Sequence, residues 1–284
     1  MVAGCVAQAV CPPKSNGCEA VLRILITGSS GIMGRHVVRH LGDLSPTSKV
    51  LPFQADLRDR PAVMNAIRDI DRIDLVLHLA ALVPVEDVQS DPARAYAVNV
   101  GGTINLLDAV KHLTPRVAYC SSAHVYASSA DPLSEAATVD PVSLYGRTKW
   151  LGEIAANDIA ESAGIALLVA RVFSIHDPEQ TGSYLRPRIE TRLATEVLTQ
   201  PFELWGADSL RDFLSADMAA RLFVRLALSD ATGTVNVGSG RATKVRDFVQ
   251  SLAVQPLDIR AQGTPDRLVA DISRMRDILG DPDE

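Results

Sequence analysis

Short apolar runs that suit strands alternate with amphipathic stretches along most of this chain. From Arg23 the run RILIT leads into a helical pattern from Gly31 to Leu41, the run VLPFQ, a helix near Ala62 to Ile70, and the run LVLHLA. Strands of continuous apolar character are covered on both faces, and their alternation with helices is the βαβ rhythm of a parallel sheet. The rhythm continues through a helix opened by Asp91 and Pro92 and running past Leu107, the strand RVAYC, a helix through Tyr145 and Lys149, and the strand IALLVARV. Aspartate is a favoured N-cap and proline suits the first helical position, so that helix start is marked in the sequence.

Beyond Arg171 the pattern loosens. SIHDPEQTGSYLRP reads as a loop, followed by a helix to about Thr199, the short strand FELW and a helix from about Ser215 to Leu228. TVNVGSG reads as one more buried strand and turn, and a short helix is expected near Ile272 to Leu279. The first two dozen residues carry Pro12-Pro13 and Asn16-Gly17 without periodicity and read as a tail. The expected class is α/β, a doubly wound parallel sheet with a smaller, irregular lobe towards the C-terminus.

Composition narrows the setting. With 284 residues, 47% hydrophobic and 22% charged, the chain can bury an ordinary core without disulfide or metal staples. The formal charge of -6, with basic residues scattered along the chain, argues against nucleic acid as the main partner. No run reaches the roughly 18 apolar residues of a membrane-spanning helix. The start lacks the basic region and compact apolar core of a signal peptide, and a cytoplasmic protein is expected. Cys5, Cys11 and Cys18 match no zinc spacing and Cys120 ends a strand, so free thiols and no metal site are expected.

Three groups of residues carry chemistry. The strand RILIT runs into Gly28-Ser29-Ser30-Gly31-Ile32-Met33-Gly34 and then a helix, where backbone can approach a pyrophosphate and the helix N-terminus can face it. The spacing is G-x-x-G-x-x-G rather than G-x-G-x-x-G. Asp56, soon after the second strand, is placed to hold the adenosine ribose or the adenine, and the short interval compresses the second and third strands of a usual dinucleotide fold into one. Arg35 could attract a 2′-phosphate, so NAD and NADP both remain open.

Tyr145 and Lys149 stand four residues apart on one helix face. An ordinary phenol is a poor base at neutral pH, and a nearby ammonium lowers its pKa. Upstream, RVAYC delivers Ser121 and Ser122 at its carboxyl end, where open α/β sheets place their ligands. Glycine turn, serine and Tyr/Lys pair are consistent in order and position. His124 and His176 flank this region without metal-ligand spacing. Asp212 is expected to orient Arg211, and Glu135 and Arg147 to be solvated.

From Arg23 to about Gly280 the sequence resembles the extended short-chain dehydrogenase/reductases that act on nucleotide sugars, the NAD-dependent epimerase/dehydratase family. TGSSGIMG, ADLRD, HLAA, NVGGTINLLDA, SSAHVY, YGRTK, WGADSLRDF, VNVGSG and DRLVADISRMRDILG carry the resemblance. It implies a Rossmann-type domain over 23–172 after a tail at 1–22. Residues 173–284 would be mainly a substrate-binding lobe, interleaved with returning Rossmann elements. It also implies that Gly28, Gly31, Ile32, Met33, Gly34, Asp56 and Leu57 bind NAD or NADP, that Leu79, Ala80, Ala81 and Val172 line its ribose, phosphates and nicotinamide side, and that Asn99 supports the site. Ser122, Tyr145 and Lys149 would be the catalytic set, the last two also contacting the cofactor. Ser122, Ala123, His124, Ser174 and Arg211 would meet a nucleotide-diphosphate sugar, with Arg211 on its diphosphate.

The implied activity is an epimerase working by hydride transfer, usually at C4, with a 4-keto-sugar reductase as the enzyme alternative and a catalytically silent dinucleotide sensor as the other. Family 4,6-dehydratases carry an Asp-Glu pair where this chain has Ala123 and His124, which speaks against dehydration. Ser174 stands where many epimerases have asparagine. A homodimer through the helices containing Asn105 and Tyr145 is expected from the same resemblance.

Overall fold

A computed structural model of the chain describes residues 21–83 and 85–280. All but the last two residues of the expected tail, with Cys5, Cys11 and Cys18, lie outside them. The chain runs β1 (Arg23–Thr27), α1 (Ile32–Leu44), β2 (Lys49–Phe53), α2 (Arg60–Ile67), β3 (Leu75–His78), α3 (Val85–Ser90), α4 (Pro92–Tyr96) and α5 (Gly102–Val110). It continues with β4 (Arg116–Ser122), α6 (Leu144–Ala163), β5 (Ala166–Val172), β6 (Ser174–His176), α7 (Leu185–Thr195), β7 (Phe202–Trp205), β8 (Leu210–Arg211) and β9 (Phe213–Ser215). The last part is α8 (Ala216–Leu228), β10 (Gly233–Val237), β11 (Thr243–Lys244), α9 (Val245–Leu252), β12 (Ile259–Gln262), β13 (Arg267–Leu268) and α10 (Ser273–Leu279).

Six strands form one parallel sheet in the order β10-β5-β4-β3-β1-β2. Side chains on a strand alternate between faces, and both faces here are apolar. Ile24, Ile26, Ala118, Leu168 and Ala170 pack with Val37 and Leu41 of α1 and Ala219 to Leu226 of α8. Leu25, Val117, Tyr119, Leu167 and Val169 pack on the other side with Val63, Leu106, Leu107, Ala156 and Ala160. Fully buried side chains such as Leu41 and Leu77 each contribute about 1.5–3 kcal/mol of transfer free energy. The Rossmann-type, doubly wound reading therefore holds, and β10, far along the chain, completes the sheet beside β5.

β2 is the edge strand, and the next strand pairs on the other side of β1. Asp56 therefore follows the edge strand by three residues, which is the compression the sequence suggested. Helix starts follow local chemistry: Asp59 accepts from the backbone N–H of Ala62, Asp91 from Arg94 and Ser143 from Gly146. Gly164 closes α6 in the left-handed conformation, φ 69°.

The helix begun at Pro92 is not uniform. A π-helical turn, Ala97–Gly101, separates α4 from α5 and carries the buried Asn99. Asn99 accepts from the N–H of Leu82 (2.7 Å) and donates to the Leu82 carbonyl and the Thr148 hydroxyl, both 2.9 Å. An apolar-period reading saw one continuous helix, because the wider turn is set by these long-range bonds.

The remaining segment builds a second core from Ile189, Phe202, Leu204, Ala207, Val245 and Val249. Around it are a three-stranded sheet, β11-β8-β13, and the pairs β12-β7 and β6-β9. β7 is the expected FELW strand, and β6 replaces part of the expected loop by pairing with β9. Helix α9 and strands β8, β9 and β11–β13, several only two residues long, had no sequence reading; the short strands exist through partners elsewhere in the chain.

Candidate active site

The glycine turn is tightly specified. Gly28 has φ 71°, and a Cβ there would lie 2.7 Å from the Ala80 nitrogen; a Cβ on Gly34 would lie 2.0 Å from the Gly28 carbonyl oxygen. Gly31 caps α1 without a side-chain bond, and the first turn has no acidic residue. The free N–H groups and positive helix end thus suit an anion. The turn opens on a cavity of about 1000 Å³, at the upper end of the roughly 300–1,000 Å³ usual for small-molecule sites. Its lining includes Asp56, the glycines, Ser122 and Arg211.

Behind the cradle stands His78, which neighbours Thr27 across β1 and β3. Ala80 N–H donates to the Thr27 hydroxyl (3.2 Å), which has its own hydrogen for His78 Nδ1 (2.7 Å). His78 Nε2–H then donates to the Thr103 hydroxyl (2.9 Å), which donates to the Asn99 carbonyl (2.8 Å). This order requires neutral imidazole. Burial, with the nearby Lys149 ammonium, pushes its pKa down to about 3.

The acid stability of the protein is expected to follow. A histidine whose folded pKa lies below its unfolded value binds more protons when unfolded, so stability is present above the unfolded pKa near 6.5 and is lost as pH falls towards 3. Between pH 7.5 and 5 the loss from His78 is about 2 kcal/mol. It is measurable as a lower urea midpoint, with a His78 ring resonance that stays in its neutral position throughout. A ring titrating near pH 6.5 would refute this.

Tyr145 follows the Ser143 cap in the first turn of α6 and faces the cavity, 8% exposed. Ser122, at the end of β4, lines the same cavity and acts on the phenol electrostatically. Lys149, one turn on, is 3% exposed and holds its ammonium 4.2 Å above the Tyr119 ring. Burial raises the phenol pKa to about 12, although Lys149 and Ser122 pull it down. The sequence expectation left out burial; in the folded chain desolvation outweighs Lys149. The phenol accordingly holds its proton until further positive charge enters the cavity. His124 donates its backbone N–H to the Ser122 hydroxyl at 3.2 Å and sets its ring edge-on to Tyr145, centroids 5.7 Å apart. Its pKa is pushed down to about 4 by burial and then by Arg211.

Of the residues singled out from sequence, Gly28, Gly31, Ile32, Met33, Gly34, Asp56, Leu57, Leu79, Ala80, Ala81, Ser122, His124, Tyr145, Val172, Ser174 and Arg211 line one cavity. Asn99, Ala123 and Lys149 are buried next to it and do not form its wall. Asn99, expected to support the site, holds the Leu82 segment and α6 together.

Several smaller expectations are corrected. Arg211 pairs with Asp266, Nη2 lying 2.8 and 2.9 Å from its two oxygens. Asp212 is buried and accepts from the backbone of Ser239, Gly240 and Ala270, so it does not orient Arg211. Arg35 pairs with Glu179 at 3.2 Å, and Arg58 is the cation on Asp56. Hydrogen bonds from the Arg58 side chain and backbone hold the Asp56 carboxyl down at about 2. Glu135 is not merely solvated, since it accepts from the N–H of Asn236 at 2.9 Å. Gln180, Tyr184, Trp205 and Asp266 also line the cavity without having been singled out. Gln180 and Tyr184 sit in a segment without periodicity, while Trp205 ends the FELW strand and Asp266 opens the DRLVADISRMRDILG stretch without a role read for either. Among the described residues no cluster suits a metal ion, and no helix is long and apolar enough to cross a membrane.

Known proteins are similar to this chain in sequence and fold. The model of the NAD dependent epimerase/dehydratase family matches residues 24–238. GDP-6-deoxy-D-mannose reductase of Pseudomonas aeruginosa is 30% identical over 242 residues, covering 81% of this chain and 79% of the relative. UDP-glucose 4-epimerase of Lactobacillus helveticus is 26% identical over 307 residues, covering 91% of each. The structure of RMD from Pseudomonas aeruginosa complexed with NADPH superposes with a TM-score of 0.79 at 26% identity, covering 92% of both chains.

Proposed function

Because the chain belongs to the NAD dependent epimerase/dehydratase family, we propose that it is an NAD(P)-dependent nucleotide-sugar epimerase acting by reversible hydride transfer at a sugar carbon, C4 in the first instance. The observation that carries this reading is one cavity lined by the glycine cradle, Ser122, Tyr145 and Arg211 together. The glycine turn, Asp56 and the Leu79–Ala81 segment would hold the dinucleotide, which supplies hydride exchange when bound.

The chain's own residues handle protons and position. Tyr145 exchanges the hydroxyl proton of the reacting carbon at its phenol oxygen. Ser122 donates to the same substrate oxygen as charge develops there. Lys149 favours the phenolate by its charge, and Arg211, oriented by Asp266, meets the substrate diphosphate. Ala123, His124 and Ser174 complete the sugar side. Residues 173–284 thus supply mainly the substrate lobe, and 23–172 the dinucleotide domain.

A ketoreductase uses the same groups in one direction only, and the 30% identity to a GDP-6-deoxy-D-mannose reductase favours keeping that reading beside the first. A silent sensor has no need of the proton-transfer set. We also propose a cytoplasmic homodimer built on α5 and α6, whose Ile104, Leu151 and Ile154 leave apolar surface exposed.

The test is purification, identification of any retained dinucleotide, and incubation with UDP-, GDP- and dTDP-sugars and 4-keto-sugars, with products followed by NMR. Interconversion of two sugars without net cofactor consumption is the expected result. Stoichiometric oxidation of added NAD(P)H with a 4-keto-sugar alone would replace the epimerase by the reductase, and dinucleotide binding with no turnover would favour the sensor. Light scattering on the same preparation reads the subunit number, a monomer refuting the dimer. An envelope-bound fluorescent fusion would oppose the cytoplasmic placement.

A further inference from the structure

The loop after β6 is fastened to the helix of the glycine cradle. Asp177 Oδ2 lies 2.7 Å from Nε2 of His36 on α1, and Glu179 pairs with Arg35 at 3.2 Å. Within the loop, Asp177 Oδ1 accepts from the Glu179 N–H (2.8 Å), and the Gln180 N–H donates to the Asp177 carbonyl (3.1 Å). The Asp177 N–H in turn donates to Gln180 Oε1 at 3.2 Å.

That last bond fixes which way the Gln180 amide points. Turned over, its nitrogen would face the Asp177 N–H, donor against donor. Gln180 is only 5% exposed and lines the main cavity, and its Nε2 is buried with no hydrogen-bond partner. A buried donor without a partner costs about 1–3 kcal/mol, a penalty that a ligand acceptor removes.

We propose that Gln180 is a cofactor-binding residue whose carboxamide NH₂ donates to an acceptor oxygen of the dinucleotide. The loop's anchors place the donor on the dinucleotide side: His36 is two residues past Gly34, about 3 Å along the helix axis. His36 and Asp177 act as positioning residues that hold the loop on α1. This assignment rests on reading the glycine cradle as a dinucleotide site.

The test is calorimetric titration of the purified full chain with NAD, NADP, ADP-ribose, UDP and GDP, comparing wild type with Gln180→Leu and Gln180→Glu. Gln180→Glu retains an oxygen for the Asp177 N–H while removing the donor, and thermal melting checks that both variants fold. Expected is about 10- to 100-fold weaker binding of the preferred dinucleotide in both variants, with UDP and GDP unchanged. Loss shared by ADP-ribose assigns the acceptor to the diphosphate or ribose, and loss confined to NAD(P) assigns it to the nicotinamide carboxamide; either supports the proposal. Unchanged dinucleotide affinity in either folded variant, or a change with UDP or GDP alone, overturns it. A wild-type chain that binds no dinucleotide overturns the proposed function and this assignment together.

Discussion

Replacing Tyr145 by phenylalanine is expected to lower kcat by about 10²- to 10⁴-fold while leaving dinucleotide affinity unchanged. The ring fills the same space beside α3 and α4, where it packs with Val88 and Ala95, so only the hydroxyl is lost. Tyr145 lines the cavity together with Ser122. Its pKa near 12 in the unliganded chain makes it a proton donor as it stands, and removing protons from a substrate requires positive charge to bring that value down. Lys149 supplies part of this field from one turn away. Lys149→Met should therefore move the acid limb of the kcat profile to higher pH, a shift that loss of packing alone does not produce. The measurement is steady-state kinetics on the active nucleotide sugar with calorimetry of the dinucleotide. Full turnover in Tyr145→Phe removes the phenol from the mechanism.

The largest effect on stability is expected from breaking the buried pair of Arg171 and Glu153. The guanidinium meets both carboxylate oxygens, Nε–Oε1 at 3.0 Å and Nη2–Oε2 at 2.7 Å, and the Ser121 hydroxyl donates to Oε1. Arg171 also lies over the Tyr126 ring, 4.7 Å from its centroid. Both partners are almost fully buried, so truncating one strands a charge in a low-dielectric interior and costs about 3–5 kcal/mol. Glu153→Leu and Arg171→Met should each show that loss in urea unfolding. The double variant should be clearly less destabilised than the sum, because neither charge is then left alone. Additive losses would show that the pair acts as two separate residues.

The pair also bears on the site. Ser121 and Arg171 are register partners, one residue before Ser122 and Val172 on β4 and β5. Loosening it would let the two strand ends that line the cavity shift, so kcat should fall in the single variants too. The sequence reading placed Arg171 in the strand IALLVARV and assigned neither it nor Glu153 a structural role.

How far the sequence reached can be seen residue by residue. Strands and helices of the sheet were legible because alternation, helical period and an N-cap such as Asp91 are signals a few residues long. Gly28, Gly34, Ser122, Tyr145 and Lys149 were legible for the same reason: a left-handed turn, a strand end and a four-residue helical spacing are local. Their gathering in one region followed from the rule that parallel sheets gather ligands at their carboxyl ends.

Choices made between distant segments were not legible. Asp212 turned to the backbone of Ser239 and Ala270 rather than to its neighbour Arg211, and Arg211 took Asp266, fifty-five residues away. Asn99 drew its helix into a π turn, and Gln180 received its place from His36 on a helix far upstream. Local patterning by itself determined the layered α/β architecture and the positions of the glycine turn, Ser122 and the Tyr145/Lys149 pair at the carboxyl end of the sheet. Only the tertiary structure decided which buried polar groups pair and how strongly the phenol holds its proton, because desolvation and hydrogen-bond satisfaction depend on what the rest of the chain brings near.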